Sequence, residues 1–509
     1  MRTPAGNAYD IVPYVGAADP AADIRRLEST ASLFGMSPAP PPSARVLELG
    51  CGTGDNLLPL AIAYPHTMIV GCDLARSAIA SANAMADALA LGNVDFRHAS
   101  LADVDESWGE FDYILCHDVF SWVAPELRHR ILDILARNLA PQGVGFVSHD
   151  ALPGWHLHEV AREMTRYHTR HLDDHRATID QARALLSLAA EVQDQRSDTY
   201  AALIRDEYCL LSTIPDAELY HLVSEPHHRP FYFHEFIDEL QGATLQWLAD
   251  AGPGVCESWL PESARTFLRQ ASILERQQYV DYLVNCTFRR ALVCRDDVEL
   301  NPRADPQVLS RLWIGLTAAG RVEPGVGRGG TRLRTDRGEL VASDPVVEEA
   351  LGKLDDARPQ LVPCAALFTA EPPVDFLMDA LRCGAVDGVL TPFTLTNHID
   401  VRPMVSPLVR LQARQGGRVT NQKSEPVQLS ASRRFVASRL DGTRDRRGLT
   451  EEIERGIECG GLGVDIAFAR LAGNPSELTD ECLRYIRDHA LLMDCSTRGD
   501  AEHPSRTSS

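Results

Sequence analysis

The chain of 509 residues has a globular composition, with 44% hydrophobic and 24% charged residues, and its length suits two or three domains. Its formal net charge of -21 at pH 7 opposes non-specific attraction to nucleic acid. No apolar run approaches the roughly 18 residues that a membrane-spanning helix needs, and no charged leader precedes one. We therefore expect a cytoplasmic protein without a membrane partner.

The 12 cysteines are scattered along the chain. They form no pair or cluster at the spacing of a metal site or of a disulfide framework. We therefore expect reduced thiols and no metal ion.

The first part of the chain alternates short apolar runs with helical patterns, which is typical of a parallel α/β sheet. The predicted strands are residues 44–49, 67–72, 93–97, 111–116 and 143–148, and the predicted helices are residues 56–63, 77–91 and 125–139. These elements predict a doubly wound sheet, and we assign residues 1–155 to it.

The next part of the chain changes character. Residues 156–211 have a wholly helical pattern, so residues 156–230 are predicted to form a helical insertion or cap. A predicted helix at 231–240 and predicted strands at 244–249 and 288–295 complete the sheet within residues 231–300. Pro302 and Pro306 then mark a predicted domain boundary.

The C-terminal part, residues 301–495, is predicted to be a separate α+β unit. Its elements include a run at 309–316, a glycine-rich turn at 325–330, a strand at 331–335 and a helix at 449–457. Its short helices and intervening turns resemble a winged helix-turn-helix. Residues 496–509 are predicted to be a disordered tail.

Three alternate glycines follow the first strand, in residues 48–55 (ELGCGTGD). They allow a tight turn and bring backbone N–H groups close to a ligand. A pyrophosphate-binding fingerprint needs a glycine where Asp55 stands, and a carboxylate there repels phosphate. Glu48 and the later Asp73 instead suit a cationic ligand with a ribose diol. These features favour S-adenosylmethionine as the cofactor.

This motif is that of the class I S-adenosylmethionine-dependent methyltransferases. Further segments resemble bacterial members that carry a methyltransferase regulatory domain, among them the rickettsial outer-membrane-protein lysine methyltransferases: residues 9–14 (YDIVPY), 31–35 (ASLFG), 116–123 (CHDVFSWV), 152–155 (LPGW) and 440–446 (LDGTRDR). The resemblance extends to about Leu492. It implies a Rossmann-like, doubly wound, mostly parallel sheet with a helical insertion and a C-terminal α+β winged-helix-like domain.

The sequence departs from this family at two places. Asp118 stands where members usually have glycine, and His149-Asp150 stand where they usually have Tyr-Asn. Both places are expected beside the methyl-acceptor cleft, so a different acceptor stays open.

The candidate cofactor-binding residues lie at strand ends, because ligands of open α/β sheets bind outside the carboxyl ends of the strands. They are Tyr14, Glu48, Gly50, Cys51, Gly52, Gly54, Asp73, Leu74, Ser100, Leu101, Cys116 and His117. Glu48 and Asp55 are expected near the positive charge of the cofactor, and Asp73 on its ribose hydroxyls. Ser100 and Leu101 are expected at the adenine, with a helix cap as an equal alternative for Ser100. The resemblance implies that Tyr9 and Tyr14 form an N-terminal lid over the cofactor, with a strand or helix packed on the sheet edge as the alternative.

The candidate catalytic residues are His117 and the pair His149-Asp150. They end the fourth and fifth strands, where this fold presents its acceptor, and a histidine there can act as a general base. A purely structural histidine is the alternative. Trp122 and Trp155 either wall the acceptor pocket or pack in the core.

Two absences narrow the reaction. No Asn-Pro-Pro-Tyr or Asp-Pro-Pro-Tyr stands at residues 116–119, so methyltransferases of amides and exocyclic amines match poorly. The cysteines also lack the spacing of a radical S-adenosylmethionine cluster. Polar displacement by a nitrogen or oxygen atom remains.

The leading hypothesis is a methyltransferase acting on a side-chain nitrogen (or oxygen) of a protein or peptide, including peptide natural-product tailoring. A small-molecule methyltransferase and an S-adenosylmethionine-sensing, DNA-binding regulator are the alternatives. The regulator would contact phosphate through arginines of the C-terminal unit: Arg433, Arg434, Arg439, Arg444, Arg446 and Arg447. A solvated face or a protein-docking surface is favoured for them, so we expect no nucleic-acid partner. The acceptor atom, the number of methyl groups and the oligomeric state stay open.

Overall fold

A seven-stranded sheet organises the N-terminal part of the computed structural model, which describes residues 7–252, 254, 259–325, 330–458 and 474–493. Its strands are β1 (Arg45–Leu49), β2 (Met68–Asp73), β3 (Val94–His98), β4 (Phe111–Cys116), β5 (Leu139–Asp150), β6 (Leu245–Asp250) and β7 (Phe288–Arg295). Their order is β3-β2-β1-β4-β5-β7-β6; β1 to β5 are parallel, and β7 is antiparallel to both β5 and β6. The predicted doubly wound, mostly parallel sheet is confirmed.

Helices cover both faces of this sheet. They are α1 (Ala8–Ile11), α2 (Ile24–Leu33), α3 (Leu57–Ala63), α4 (Arg76–Ala88) and α5 (Pro125–Asn138), with short 3-10 helices at Pro20–Ala22, Pro41–Ser43, Leu101–Asp103, Glu106–Trp108 and Phe120–Trp122. Helix α4 ends at Ala88 instead of the predicted residue 91. Ala90 has φ of 53°, and one left-handed residue ends a helix. Two apolar clusters, one on each side of the sheet, form the core.

The helical pattern predicted after the fifth strand is present. Four helices follow one another: α6 (Trp155–Thr169), α7 (His175–Gln193), α8 (Thr199–Leu211) and α9 (Asp216–Ser224). They share an apolar cluster of their own and so form a cap beside the sheet. Helices α10 (Phe233–Gly242), α11 (Glu262–Leu268) and α12 (Ile273–Val284) connect the cap to β7.

The described C-terminal residues contain three further apolar clusters, a large one in each of two units and a small one that includes Val389 and Ala490. The first unit consists of α13 (Pro306–Arg311), β8 (Trp313–Leu316), β9 (Arg321–Glu323), β10 (Thr331–Thr335), β11 (Gly338–Ala342), α14 (Pro345–Asp356), β12 (Val362–Pro363), α15 (Cys364–Leu367), α16 (Val374–Arg382) and β13 (Val386–Val389). The second consists of α17 (Pro407–Gln415), β14 (Arg418–Thr420), β15 (Pro426–Gln428), α18 (Ala431–Ala437), α19 (Arg446–Glu458) and α20 (Pro475–Asp488).

Some predictions stay untested. The boundaries at residues 155, 230 and 300 remain predictions. The tail at 496–509 and most of the glycine-rich turn at 325–330 lie outside the described residues. Within the described ranges, no helix combines the length and the apolar character needed to cross a membrane.

Buried polar contacts join the region of helix α2 and strand β13 to the β14–β15 hairpin. Arg26 on α2 donates to Asp387 Oδ1 at 2.9 Å, and Lys423 Nζ lies 2.5 Å from Asp387 Oδ2. Ser424 donates to Asp23 Oδ2 at 2.7 Å, and Asp23 also pairs with Arg25. Removing one partner of such a buried pair leaves an uncompensated charge, so these contacts hold the hairpin against α2.

Candidate active site

A cavity of about 2010 Å³ lies at the carboxyl ends of the parallel strands. The sheet, the cap helices α6 to α9 and the β14–β15 hairpin bound it, with Arg418 and Pro426 on the hairpin side. Ten predicted cofactor residues line it: Tyr14, Glu48, Gly50, Cys51, Gly52, Asp73, Leu74, Ser100, Leu101 and His117. Among the predicted catalytic residues, Asp150 also lines it. Gly54, Cys116 and His149 do not.

The glycine turn after β1 has left-handed backbone at Gly50, Gly52 and Gly54, with φ of 74°, 52° and 81°. A Cβ built on Gly52 meets no atom within 4 Å, so this residue faces open space. A Cβ on Gly54 would lie 2.5 Å from the Phe96 ring. The cofactor prediction for Gly54 is therefore corrected, because this glycine permits close packing of the turn instead of lining the cavity.

Glu48 is a buried carboxylate with one free oxygen. Its Oε1 accepts a hydrogen bond from Asn56 Nδ2 at 2.7 Å, whereas Oε2 is buried and has no partner among the described residues. Burial raises the pKa of Glu48 to about 7. A cation beside Oε2 would remove the cost of this unpaired group, so the residue fits a positively charged ligand.

Asp73 shapes the glycine turn as well as lining the cavity. Its Oδ2 accepts from the Gly52 amide at 2.9 Å, and its Oδ1 accepts from the Ala75 amide at 2.7 Å. Burial raises the pKa of this carboxyl group. Because a carboxylate has about four acceptor positions, two remain for ligand hydroxyls.

Ser100 forms the helix cap that was predicted as one of its two alternatives, and its adenine contact stays a prediction. Its Oγ accepts from the Ala102 amide at 3.2 Å and its amide donates to Asp103 Oδ2 at 2.9 Å, which is a capping box. Ser100 and the neighbouring Leu101 also line the cavity.

Cys116 ends β4 inside the core. Its side chain is fully buried and burial raises the pKa of the thiol, so the structure does not bring it to the cavity. The prediction of a cofactor contact is corrected for this residue, because adjacent strand residues point to opposite faces and His117 takes the cavity side.

His117 lies between carboxylates. Its Nε2 is 3.2 Å from Asp19 Oδ2 and 3.6 Å from Asp118 Oδ2, and Arg290 also donates to Asp19, at 2.6 Å. Burial lowers the pKa of His117, but Asp19 and Asp118 outweigh it and raise the pKa to about 9. An imidazole that is protonated at neutral pH cannot act as a base, so this geometry argues against the predicted base role.

His149 and Asp150 do not form the predicted pair. The His149 ring is buried against Phe236 at 4.4 Å, and burial lowers its pKa to about 3. Asp150 faces the cavity, and its Oδ2 lies 2.9 Å from His228 Nε2 instead. The two residues diverge because successive side chains of a strand alternate in direction, so the catalytic prediction for His149 is corrected.

Trp122 and Trp155 line the cavity beside Asp150. Their ring centroids are 5.9 Å apart in an edge-to-face arrangement. We call Trp122, Trp155 and Asp150 the tryptophan recess. Asp118 and Glu207 also line the cavity, and Glu207 pairs there with His158 at 2.8 Å. Sequence reasoning missed His228, since no motif or spacing connects it with Asp150.

The arginines of the C-terminal unit have local partners. Arg434 donates to the Leu429 carbonyl at 3.2 Å. The other five pair with carboxylates: Arg433 with Glu481, Arg439 with Glu452, Arg444 with Asp441 and Glu452, Arg446 with Asp480, and Arg447 with Glu451. Paired guanidinium groups offer little net positive charge to a phosphate backbone.

Three protein-family models match the chain. A methyltransferase domain matches residues 46–143, a predicted methyltransferase regulatory domain matches residues 215–295, and a PKMT C-terminal winged helix domain matches residues 402–491. The match at 402–491 confirms the winged-helix prediction for that part of the chain.

Relatives and solved structures agree with these matches. The chain is 29% identical over 483 residues to the uncharacterised protein RP789 of Rickettsia prowazekii, covering 90% of this chain and 87% of that one. It is 34% identical over 234 residues to RP028 of the same organism, covering 46% and 94%. The structure of PKMT2 from Rickettsia typhi, also solved in complex with AdoHcy, superposes with a TM-score of 0.80 at 24% identity, covering 94% and 100%.

Proposed function

We propose that this chain, which belongs to the class I S-adenosylmethionine-dependent methyltransferases of the rickettsial PKMT type, methylates a side-chain nitrogen of a protein. The enzyme class and the cofactor follow from the family; the acceptor is our proposal. The observation that carries it is the tryptophan recess, where the Asp150 carboxylate and two indole rings line the cavity that also contains the glycine turn.

The recess suits an amine better than an oxygen acceptor. Indole faces and a carboxylate both attract a cation, and the rings also pack on an alkyl stem. The carboxylates of Asp150 and Asp118, which both line the cavity, would repel a carboxylate acceptor. A lysine side chain therefore fits the recess in charge and in shape.

The residues present also fit the cofactor. The unpartnered Glu48 Oε2 suits its positive charge, and the open space at Gly52 lets its backbone approach. When bound, S-adenosylmethionine supplies a methyl group that is activated by its sulfonium. We propose that the following residues hold it: Tyr14, Glu48, Gly50, Cys51, Gly52, Asp73, Leu74, Ser100, Leu101 and His117.

The acceptor nitrogen must lose a proton before it can attack, because the free pKa of lysine is about 10.4. Asp150 is the carboxylate of the recess, and burial raises its pKa, so it can accept a proton at a higher pH than an ordinary aspartate. The indole rings exclude water and align the stem. Such alignment is worth effective molarities of about 10⁵ to 10⁸ M.

The size of the cavity supports a polypeptide substrate. Pockets for small molecules are typically about 300 to 1,000 Å³, whereas this cavity of about 2010 Å³ extends along the cap helices to the hairpin. The arginine pairs of the C-terminal unit remove the feature that favoured a DNA-binding regulator. No comparison favours natural-product tailoring, and we do not carry it forward.

We further propose the cytoplasm as the compartment of the reaction. The nine cysteines of the described ranges form no disulfide, and one of them, Cys209, is exposed. Free thiols persist in a reducing compartment.

The test uses the full-length enzyme with S-adenosylmethionine that carries a labelled methyl group. Cell-lysate proteins and matched peptide arrays with lysine, arginine, glutamine or glutamate acceptors are offered, and mass spectrometry locates the label. We expect label on lysine nitrogen. Label only on small molecules, or on glutamate, would contradict the proposal.

The matched variants are Asp150→Asn in the recess and Asp95→Asn on the exposed face of β3, where Asp95 pairs with Arg97. General-base groups contribute typically about 10²- to 10⁴-fold. Asp150→Asn should therefore lower kcat by about that factor with unchanged affinity for the cofactor, and Asp95→Asn should not.

A further inference from the structure

His228 lies directly behind the tryptophan recess. Its side chain has 0% exposure, and its ring packs against two neighbouring indoles, Trp122 at 4.2 Å and Trp155 at 4.3 Å. Its Nε2 lies 2.9 Å from Asp150 Oδ2. Two tilted ring contacts and one hydrogen bond at its edge therefore hold the imidazole in place.

The hydrogen bond has a defined direction when Asp150 is ionised. An ionised carboxylate can only accept, so Nε2 carries the hydrogen and donates it to Asp150. The other ring nitrogen, Nδ1, faces Glu159 Oε2 at 3.6 Å, and neither atom has a hydrogen-bond partner among the described residues. Glu159 Oε1 in turn accepts from Arg162 at 2.9 Å. A line of polar contacts thus runs from the cavity wall through the buried His228 to the partly exposed Glu159 on helix α6.

We propose that His228 is a positioning residue for methyl transfer, which holds the Asp150 carboxylate toward the cavity so that Asp150 can take the proton of the incoming amine. This inference rests on the proposed function. In the proton step, an N–H bond of the acceptor ammonium breaks and an O–H bond forms on Asp150. The electron pair stays on the nitrogen, and the proton later leaves Asp150 for bulk water through the cavity.

Several other charged groups surround the pair and act on it from each neighbouring element. They are Asp118 after β4, His158, Glu159 and Arg162 on α6, Glu207 on α8, and Glu225, His227 and Arg229 in the loop that carries His228. All of them remain in a variant of His228. A difference between wild type and such a variant therefore isolates the imidazole.

The sign of the pH effect follows from the contacts of Asp150. Burial raises its pKa, and the hydrogen bond and charge of His228 lower it. Loss of the donor should therefore let Asp150 become protonated at a higher pH. The acid limb of the kcat/KM profile should move to higher pH by the same amount.

The first experiment needs no activity. Proton NMR of the full-length protein without cofactor should show a downfield imidazole N–H resonance that His228→Gln removes and Asp150→Asn displaces. His158→Gln is the matched control, because His158 pairs with Glu207 at 2.8 Å and should account for a different resonance. A resonance assigned to His228 that Asp150→Asn leaves in place would overturn the inference.

The second experiment compares His228→Phe with His228→Gln. Phenylalanine keeps an aromatic ring packed against the two tryptophans but removes the donor, whereas glutamine keeps an N–H donor. We expect His228→Phe to lower kcat roughly 10- to 100-fold, the range for partners that orient a reacting group, with the acceptor KM little changed and the acid limb raised. His228→Gln should recover most of the rate and part of the shift in the acid limb, because it restores the donor but not the charge.

The outcomes separate the two proposals. A wild-type enzyme that methylates no amine contradicts the proposed function, whatever the NMR shows. An enzyme that methylates an amine, but whose His228→Phe variant keeps the parent rate and pH profile, shows that His228 only packs. Equal impairment of both variants with an unmoved acid limb has the same meaning. The NMR arm reports on the pair even where His228→Phe fails to fold.

Discussion

The cavity at the strand ends and the winged helix region at 402–491 both concentrate charge, but they treat it in opposite ways. At the cavity, the Glu48 carboxylate is buried with one oxygen unpaired. In the winged helix region, Arg439 and Arg444 share Glu452 at 2.8 and 2.6 Å. An unpaired buried charge is costly and indicates a missing ligand, whereas a paired surface charge indicates local structure.

The largest effect is expected from a side chain that fills the proposed cofactor space at the glycine turn. Gly52→Val should raise the Kd for S-adenosylmethionine on the order of 10³-fold or more, because the new side chain occupies the open space at the turn. Calorimetry measures the affinity and circular dichroism the fold. Gly416→Val is the matched control, since Gly416 also has positive φ, of 87°, and open space. Tight binding by a folded Gly52→Val would mean that the turn has another purpose.

A second prediction concerns the pH dependence of stability at Glu48. Its pKa is about 7 in the folded protein against an ordinary value of 4.5, so the folded state favours the protonated form. The resulting stability is present below pH 4.5 and is lost as pH rises through 7. At about 1.4 kcal/mol for each pKa unit, the change is about 3 kcal/mol.

Urea unfolding without cofactor at pH 5 and pH 8 tests this prediction at about 25 °C. Glu48→Gln should lack that loss of stability, whereas the exposed Glu106→Gln should follow wild type. The prediction would be contradicted if wild type and Glu48→Gln lost the same free energy of unfolding between pH 5 and pH 8.

A third prediction follows from the raised pKa of His117, which is about 9 in the folded protein against an ordinary 6.5. Here the charged form is favoured, so the stability is full below pH 6.5 and is lost as pH rises through 9. His117→Gln should therefore lower the free energy of unfolding by about 3 kcal/mol at pH 6 and by much less at pH 10. The largely exposed His129→Gln serves as the control. Equal losses at both pH values would indicate a packing role alone.

The fourth prediction is that Asp73→Ala weakens cofactor binding by about 1.5 to 3 kcal/mol, the range for hydrogen bonds to a charged group. Because Asp73 also accepts from the Gly52 amide, Asp73→Asn should lose less. Calorimetry with Asp95→Ala as control measures both. Unchanged affinity in a folded Asp73→Ala would remove this residue from the site.

The smallest effects are expected in the winged helix region. Arg446→Ala should change the free energy of unfolding by less than about 1 kcal/mol, because its pair with Asp480 is half-exposed.

The full-length chain should bind no duplex DNA at roughly 150 mM salt. Glu452→Gln, which removes the carboxylate shared by Arg439 and Arg444, should add at most weak, salt-sensitive binding, measured by fluorescence anisotropy. Sequence-specific binding of duplex DNA by the wild-type chain would contradict this prediction.

The sheet, the glycine turn and the winged helix could be predicted from the amino-acid sequence. Hydrophobic periodicity and turn chemistry are local, so the strands β1 to β4 appear within one residue of their predicted ends. The glycine turn could also be predicted, because its strand, glycines and helix follow one another in the chain. Asp73 could be placed too, since β1 and β2 are adjacent and parallel.

The partners of the charged side chains at the cavity could not be predicted from the sequence, because they depend on the tertiary structure. His117 is joined to Asp19, and Asp150 is joined to His228 across a separation of 78 residues. His149 stands next to Asp150 in the chain and yet points away from it into the core. The physical reason is that strand pleating separates chain neighbours, whereas closure of the cap and the N-terminal segment over the sheet joins distant residues, and neither effect leaves a local pattern in the sequence.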